Sequence, residues 1–356
     1  MSNGIYIGST TNRAGKSLLT LSLGLLLQKA GFSVAYMKPV GGLPQKKDDL
    51  IGDADALVVQ ELLGQDTAPD ILSPVMLPEK FQSLNPNRDQ SQSLGRIKEA
   101  YELISKGKDL CLVSGTGVFP WSGYGVGADG LAVLGALKLK VLLVERFRRK
   151  INPDRLLWLK ECLGPNLLGI VLNDVPDEEM RLVSGDLRPW LLARGIPVFG
   201  VIGHEPELES IRVIDLAYGL KARIVAGNEG ADSQVTSFFV GAMQPENFML
   251  SLKRQTDCAV IVDGDRPDMQ LLALYSNAPC VILSNDIPPL EMIRARAEEK
   301  NITLICARED CFRVARKLAA LMKSKKIRDL KQVRAGVQLL ENSLDFRCIL
   351  DKIMTN

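Results

Sequence analysis

Gly15, Lys16 and Ser17 stand where an apolar run, GIYIG, gives way to a helix-length run, SLLTLSLGLLLQKAG. A helix beginning there points its unpaired first-turn N–H groups, and the positive end of its dipole, at whatever lies beyond the strand. In that geometry Lys16 neutralises phosphate oxygens, and the Ser17 hydroxyl is an oxygen ligand for Mg2+. Thr10, Thr11, Asn12, Arg13 and Ala14 complete the loop that would surround the phosphates. The general pattern of glycine, four residues and Gly-Lys-Ser/Thr asks for glycine at position 10, where Thr10 stands. The exchange matters only if position 10 needs a positive φ, and Gly8 or Ser9 can take the sharp turn instead. An ordinary strand-to-helix turn is the competing reading.

Four further places carry residue types suited to binding. Lys38 closes the apolar run VAYM, and a lysine at a strand's C-terminal end points into the crevice where α/β sheets bind ligands; it could equally be a solvated strand-end lysine. Asn173, in GIVLNDVP, carries an amide that both donates to and accepts from an adenine edge, or forms a turn with Asp174. Asp55, in GDADALVVQ, is either a metal ligand or a helix-start carboxylate. The glycine-rich stretch SGTGVFPWSGYGVGADG, residues 114–130, brings Phe119, Trp121 and Tyr124. It is a candidate lid, an extended surface loop or a dimer contact.

The elements that must hold these residues are strands alternating with helices, the pattern of a parallel sheet covered on both faces. Strands are expected near 4–8, 33–38, 109–114, 140–145, 167–172 and 197–202. Helices are expected near 16–30, 53–63, 90–106, 127–137, 153–163 and 178–194, with 69–89 a long loop because of its four prolines. After residue 203 a second series begins: ARIVAG, CAVIVDG, APCVILS and ITLICA read as buried strands, separated by helices at 245–254, 267–275, 288–299 and 310–323. The expected organisation is a nucleotide-binding α/β domain over 1–204, a smaller α/β domain over 205–327 and a helical tail over 328–356.

The first series resembles dethiobiotin synthetase. STTNRAGKS is similar to that family's phosphate loop, VAYMKPVGG to its second strand, GDADALVVQ to its Asp-Ala-Leu helix start, SPVMLPE to its substrate-side loop, LCLVSGTGVF to its central strand and glycine turn, and GIVLNDVP to its adenine-reading segment. The loop 114–130 is also similar to a turn of cobyrinic acid a,c-diamide synthase relatives. The second series, with Gly264, Asp265 and Arg266, resembles the DRTGG domain that follows a synthetase-like module in some phosphotransacetylases; Ser284, Asn285 and Asp286 stand where Thr-Gly-Gly is expected. Asp265 and Arg266 either orient a ligand or pair with each other, the pairing being favoured.

The resemblance implies a P-loop fold binding ATP and Mg2+. Residues 10–17 and Asn173 would hold the nucleotide, Ser17 and Asp55 the metal, and Lys16 and Lys38 would act on the phosphates. Ser114 replaces a metal-binding glutamate and Arg13 an acidic loop residue, and a hydroxyl is a poorer ligand than a carboxylate for a hard cation. The expectation is therefore an ATP-binding regulatory protein with a small-ligand domain. The alternative is a weak ATPase or an ATP-dependent ligase or carboxylase working through an acyl- or carbamoyl-phosphate. The acyltransferase portion of phosphotransacetylase is missing, so phosphate acetyl transfer is expected to be excluded.

Bulk properties narrow the rest. A net charge of +2 provides no basic field for nucleic acid, and the run 321–334 reads as a solvated helix face. The single histidine, His204, excludes a His-rich metal site, and seven scattered cysteines suit reduced core thiols. Neither a signal peptide nor a membrane span is legible, so a cytoplasmic protein is expected. An aromatic lid is compatible with a homodimer but counts no subunits.

Overall fold

The computed structural model describes residues 3–47, 49–78, 90–148, 153–323 and 330–354. It divides the chain into two compact units, one of residues 1–204 with 327–356 and one of residues 205–326.

In the first unit a six-stranded sheet combines β1 (Asn3–Ser9), β2 (Val34–Met37), β7 (Leu110–Ser114), β8 (Lys140–Arg146), β9 (Leu167–Val175) and β10 (Val198–Gly203). All are parallel, in the order β10-β9-β8-β1-β7-β2. The inner strands are almost unbroken apolar runs because both faces are covered. Tyr6, Cys111, Val113, Val141 and Leu143 face one cluster, and Ile5, Ile7, Leu110, Leu112, Leu142 and Val144 face the other.

Helices α1 (Lys16–Lys29), α2 (Ala54–Leu62), α4 (Gln90–Ser105), α5 (Gly130–Leu137) and α6 (Pro153–Leu163) connect these strands. Between β9 and β10 lie α7 (Asp177–Leu182) and α8 (Arg188–Ala193), joined by a wider π-type turn over Val183–Leu187. Three short pieces were not legible in the sequence: β3 (Val40–Gly41) and the hairpin of β4 (Pro44–Lys47) with β5 (Leu50–Asp53). The stretch 69–89, expected as a plain loop, holds α3 (Pro69–Leu72) and β6 (Val75–Met76); residues 79–89 lie outside the described ones. Pro69 suits the first turn of α3, where its missing N–H costs nothing, so proline there starts an element instead of breaking one.

The tail forms α15 (Leu330–Ser343) and α16 (Phe346–Met354), which belong to the first unit. Val333, Leu340, Leu344, Ile349 and Ile353 join the apolar cluster beneath α1. Leu344 also bridges Gly200, and Asp345 N donates to Phe199 O at 2.7 Å, so the tail covers part of the exposed edge of β10.

The second unit holds α9 (Pro206–Glu209), α10 (Val213–Leu220), α11 (Pro245–Leu252), α12 (Pro267–Leu274), α13 (Glu291–Glu299) and α14 (Cys311–Lys323). Its sheet runs β12 (Arg223–Ala226), β17 (Thr303–Cys306), β16 (Cys280–Leu283), β15 (Cys258–Val262), β14 (Ser237–Val240), with β12 antiparallel to β17 and the other pairs parallel. β11 (Ile211–Arg212) pairs separately with β13 (Gln234–Val235). β14 escaped the sequence reading because SFFV is short and only half-buried, as an edge strand is. Among the described residues no helix is long and apolar enough to cross a membrane. All seven cysteines are free thiols, with Cys162 and Cys348 exposed.

If the tail is part of the first unit's core, Leu340→Ala removes a side chain that is 2% exposed. Urea denaturation of that unit should then show a loss of about 2–5 kcal/mol, and a loss under 0.5 kcal/mol would contradict the packing.

Candidate functional site

The phosphate loop leaves the sheet at the C-terminal end of β1, between β7 and β8, where chain connections depart to opposite sides. Thr10 does not adopt a positive φ. The left-handed positions are Arg13 (φ 58°) and Gly15 (φ 96°), so of the pattern's two glycine places only the second needs a positive φ, and neither Gly8 nor Ser9 takes the turn. A Cβ on Gly15 would lie 2.3 Å from Asn173 Nδ2. That amide donates to Ala14 O at 2.8 Å, so Asn173 is held against the loop's own backbone.

Helix α1 then starts with no side-chain cap and no acidic residue in its first turn. Its leading N–H groups are therefore left to an external acceptor. Lys16 Nζ donates to Ser9 Oγ at 2.8 Å and to Gly117 O at 2.9 Å, and Phe119 N donates to Ser9 O at 2.7 Å, which fastens the turn after β7 to the loop. Burial, with Lys38 adding and Asp55 opposing, lowers the Lys16 ammonium to about 8. Ser17 follows within α1, Asn12 and Arg13 are exposed, and the Thr11 hydroxyl is buried without a hydrogen-bond partner.

Lys38 lies beyond β2 and is 8% exposed. Its ammonium donates to Asp53 Oδ1 at 2.7 Å, with Asp55 Oδ2 at 3.9 Å. Asp53 is fully buried and also accepts from the N–H groups of Gly42, Leu43, Asp55 and Ala56, the last two capping α2. Burial alone would raise its carboxyl, but the Lys38 charge and these hydrogen bonds outweigh it and hold the group below the usual carboxylate range. Sequence reasoning singled out Asp55 and passed over Asp53, although a buried lysine calls for a counter-ion.

Ser114 is 3% exposed and shares a hydrogen bond with the Tyr36 phenol. Among the described residues no three His, Cys, Asp or Glu side chains converge as a metal cage. Mg2+ commonly keeps waters and takes one or two protein ligands plus phosphate oxygens, so the expected pair Ser17 and Asp55 does not need such a cage. The aromatics of 114–130 separate: Phe119 is buried against Tyr6, whereas Trp121 is exposed and stacks on Trp158, and Tyr124 is exposed. Phe119 is thus core and not part of a lid.

Two clusters were missed. Glu145, the penultimate residue of β8, is buried, accepts from Thr10 Oγ1 and meets Arg155 Nη2 at 2.6 Å. A glutamate directly after the apolar run VLLV was the available signal. Asp174, in the left-handed region at φ 64°, joins Arg146 at 2.5 Å and His204 at 2.6 Å.

In the second unit Arg266 pairs with Asp268, at 3.0 and 2.8 Å, and not with Asp265 as expected, because the two-residue spacing into the first turn of α12 lets the guanidinium meet the carboxylate with two bonds. Gly264 is packed so closely that a Cβ would lie 2.5 Å from Ser284 O. Asn285 and Asp286, in the Gly-Gly places, both have positive φ, 64° and 54°.

A family model described as an AAA domain matches residues 3–212, more than half of the chain. The chain belongs to that family. A DRTGG domain model matches residues 215–321. The chain is 25% identical to the phosphate acetyltransferase of Deinococcus radiodurans over 77% of this chain and 39% of that protein. It is 22% identical to the Synechocystis phosphate acetyltransferase over 100% of this chain and 52% of that protein. The ATP-dependent dethiobiotin synthetase BioD of Methanocaldococcus jannaschii is 27% identical over 58% of this chain and 96% of that protein. The chain therefore spans about half or less of these acetyltransferases. The expected exclusion of phosphate acetyl transfer is corrected by this similarity, which recurs in five phosphate acetyltransferases. It had rested on where the sequence stops, and that carries no information about the activity.

The Asp53–Lys38 pair makes a sharp prediction. Asp53→Ala strands a buried ammonium and should cost about 3–5 kcal/mol in urea denaturation. Adding Lys38→Met should recover part of that loss, the remainder being the cap of α2 and the N–H groups of Gly42 and Leu43; no recovery would show that the charge pair is not what Asp53 supplies.

Proposed function

We propose that this chain is a regulatory protein that binds ATP with Mg2+ on its AAA domain and a small molecule on its DRTGG domain. The observation that carries the reading is the uncapped start of α1, reached through Gly15 in the left-handed region with Lys16 directly after it. Backbone N–H groups and one cation at a helix N-terminus favour a multiply charged phosphate group. Similarity to ATP-dependent dethiobiotin synthetases supports adenine nucleotide as the occupant.

Binding is favoured over transfer for two reasons. Ser114 offers a hydroxyl in place of a metal-binding carboxylate, and phosphoryl transfer depends on positioned metal and charge. Lys38 is already neutralised by Asp53, which leaves its ammonium less to offer developing charge on a phosphate. In the proposed complex Ser17 and Asp55 hold the metal, residues 11–17 surround the phosphates, and Asn173 fixes the turn of the loop and borders the base; Thr10, expected among the phosphate-binding residues, has already given its N–H to Val144 O and its hydroxyl to Glu145.

Calorimetry with ATP and Mg2+ tests this. Binding should raise the melting temperature, and Lys16→Ala should abolish the rise. Because Lys16 lies near 8 without ligand and a bound triphosphate favours its charged form, affinity should be constant below pH 7 and fall as pH climbs through 8. At pH 8.5, buffers of different ionisation enthalpy should reveal proton uptake on binding. Affinity that stays level from pH 7 to 9.5 would show that burial does not lower Lys16 to about 8 in the empty loop, while an undiminished rise in Lys16→Ala would remove Lys16 from the phosphate site.

A further inference from the structure

The phosphate loop departs from the general pattern at Thr10, and the structure ties that departure to a second residue far away in sequence. Thr10 is 1% exposed. Its N–H donates to Val144 O at 3.2 Å, continuing the ladder between β1 and β8 by one residue. Its hydroxyl donates to Oε2 of Glu145, the next residue along β8. The other carboxylate oxygen, Oε1, is held by Arg155 from the first turn of α6.

A buried carboxylate with one oxygen unpaired would be costly at this position. With glycine at position 10 there would be no hydroxyl to meet Glu145. With an apolar residue in place of Glu145, the hydroxyl of Thr10 would be buried without an acceptor. Each residue therefore accounts for the other. Burial raises the Glu145 carboxyl while Thr10 and Arg155 oppose the shift, in keeping with a group placed there for its contacts.

We propose that Glu145 is a positioning residue for the phosphate loop: its carboxylate, oriented by Arg155, fixes Thr10 and thereby the first turn, in place of the conformational freedom that glycine supplies elsewhere. Arg155 also offsets a negative charge that would otherwise sit beneath the phosphates. Glu145 touches neither nucleotide nor metal and acts only through Thr10. This inference rests on the nucleotide-binding reading for its affinity consequences, but not for its effect on the empty loop.

The test is a double-mutant cycle with two readouts: calorimetry with ATP and Mg2+, and amide hydrogen exchange of residues 10–17 without nucleotide. Thr10→Val and Glu145→Ala should each weaken binding roughly tenfold or more, the scale of one buried hydrogen bond to a charged group. The double variant should bind no more weakly than either single one. Thr10→Ser keeps the hydroxyl and should bind like the parent. Losses that multiply in the double variant, or parental binding by Thr10→Val, overturn the proposal. Should Glu145→Ala fail to fold, Glu145→Gln takes its place, and the Thr10 pair decides independently. If the parent binds no ATP, the nucleotide reading falls alone. Exchange at residues 10–17 that quickens in Thr10→Val still supports the positioning role, and unchanged exchange overturns it.

Discussion

The buried carboxylate of Asp53 organises one side of the site. Five donors converge on it: the Lys38 ammonium and the N–H groups of Gly42, Leu43, Asp55 and Ala56. One group thus starts α2, closes the turn after β3 and fixes a desolvated lysine. A lone lysine at 8% exposure, or a lone aspartate at full burial, would be expensive, and their mutual attraction in low dielectric compensates only because every lone pair has a donor. The effect extends to Lys16, whose own charge is disfavoured by burial first and by Lys38 second. A stronger grip of Asp53 on Lys38 fixes where that repulsion originates.

On the other side, the phosphate loop is held from three strands at once. β8 supplies Val144 O and Glu145, β9 supplies Asn173, and the turn after β7 supplies Gly117 O to Lys16. These contacts determine which positions need glycine. Position 10 lies in extended register with β8 and tolerates a side chain, whereas Gly15 combines a φ of 96° with a neighbour 2.3 Å from any Cβ. A pattern that weights both glycines equally misjudges them, because only one carries the conformational burden.

The sequence made the regular skeleton legible and left the tertiary contacts out of sight. Every strand of the six-stranded sheet stands near its expected place, because apolar runs buried on both faces announce themselves and because helices must connect them. The short β3, β4, β5 and β14 were not legible: two to four residues give periodicity too little length, and β4 is exposed throughout. Lys16, Ser17, Lys38, Asp55 and Asn173 stood out in the sequence as residue types at helix starts and strand ends, and the roles proposed for them rest on that. Their partners did not stand out. Asp53, Glu145 and Arg155 act through contacts of 15, 135 and 10 residues' separation, beyond the three- and four-residue spacings that a helix or strand pattern encodes.

The same distinction between a residue and its conformation applies in the DRTGG domain. Asn285 and Asp286 stand where two glycines are expected, and both occupy the left-handed region. Asn and Asp visit that region more readily than other residues with a Cβ, so the turn persists after the glycines are gone. Its backbone is anchored by two hydrogen bonds, Asn285 N to Glu309 O and Asp286 N to Ala307 O. Asp286 now reaches Arg223 at 2.7 Å, joining the turn to the antiparallel edge strand β12, while Ser284 donates to Asp263 at 2.7 Å. The turn thus carries two side chains with partners of their own, Asp286 on Arg223 and Asn285 on the Ser284 hydroxyl.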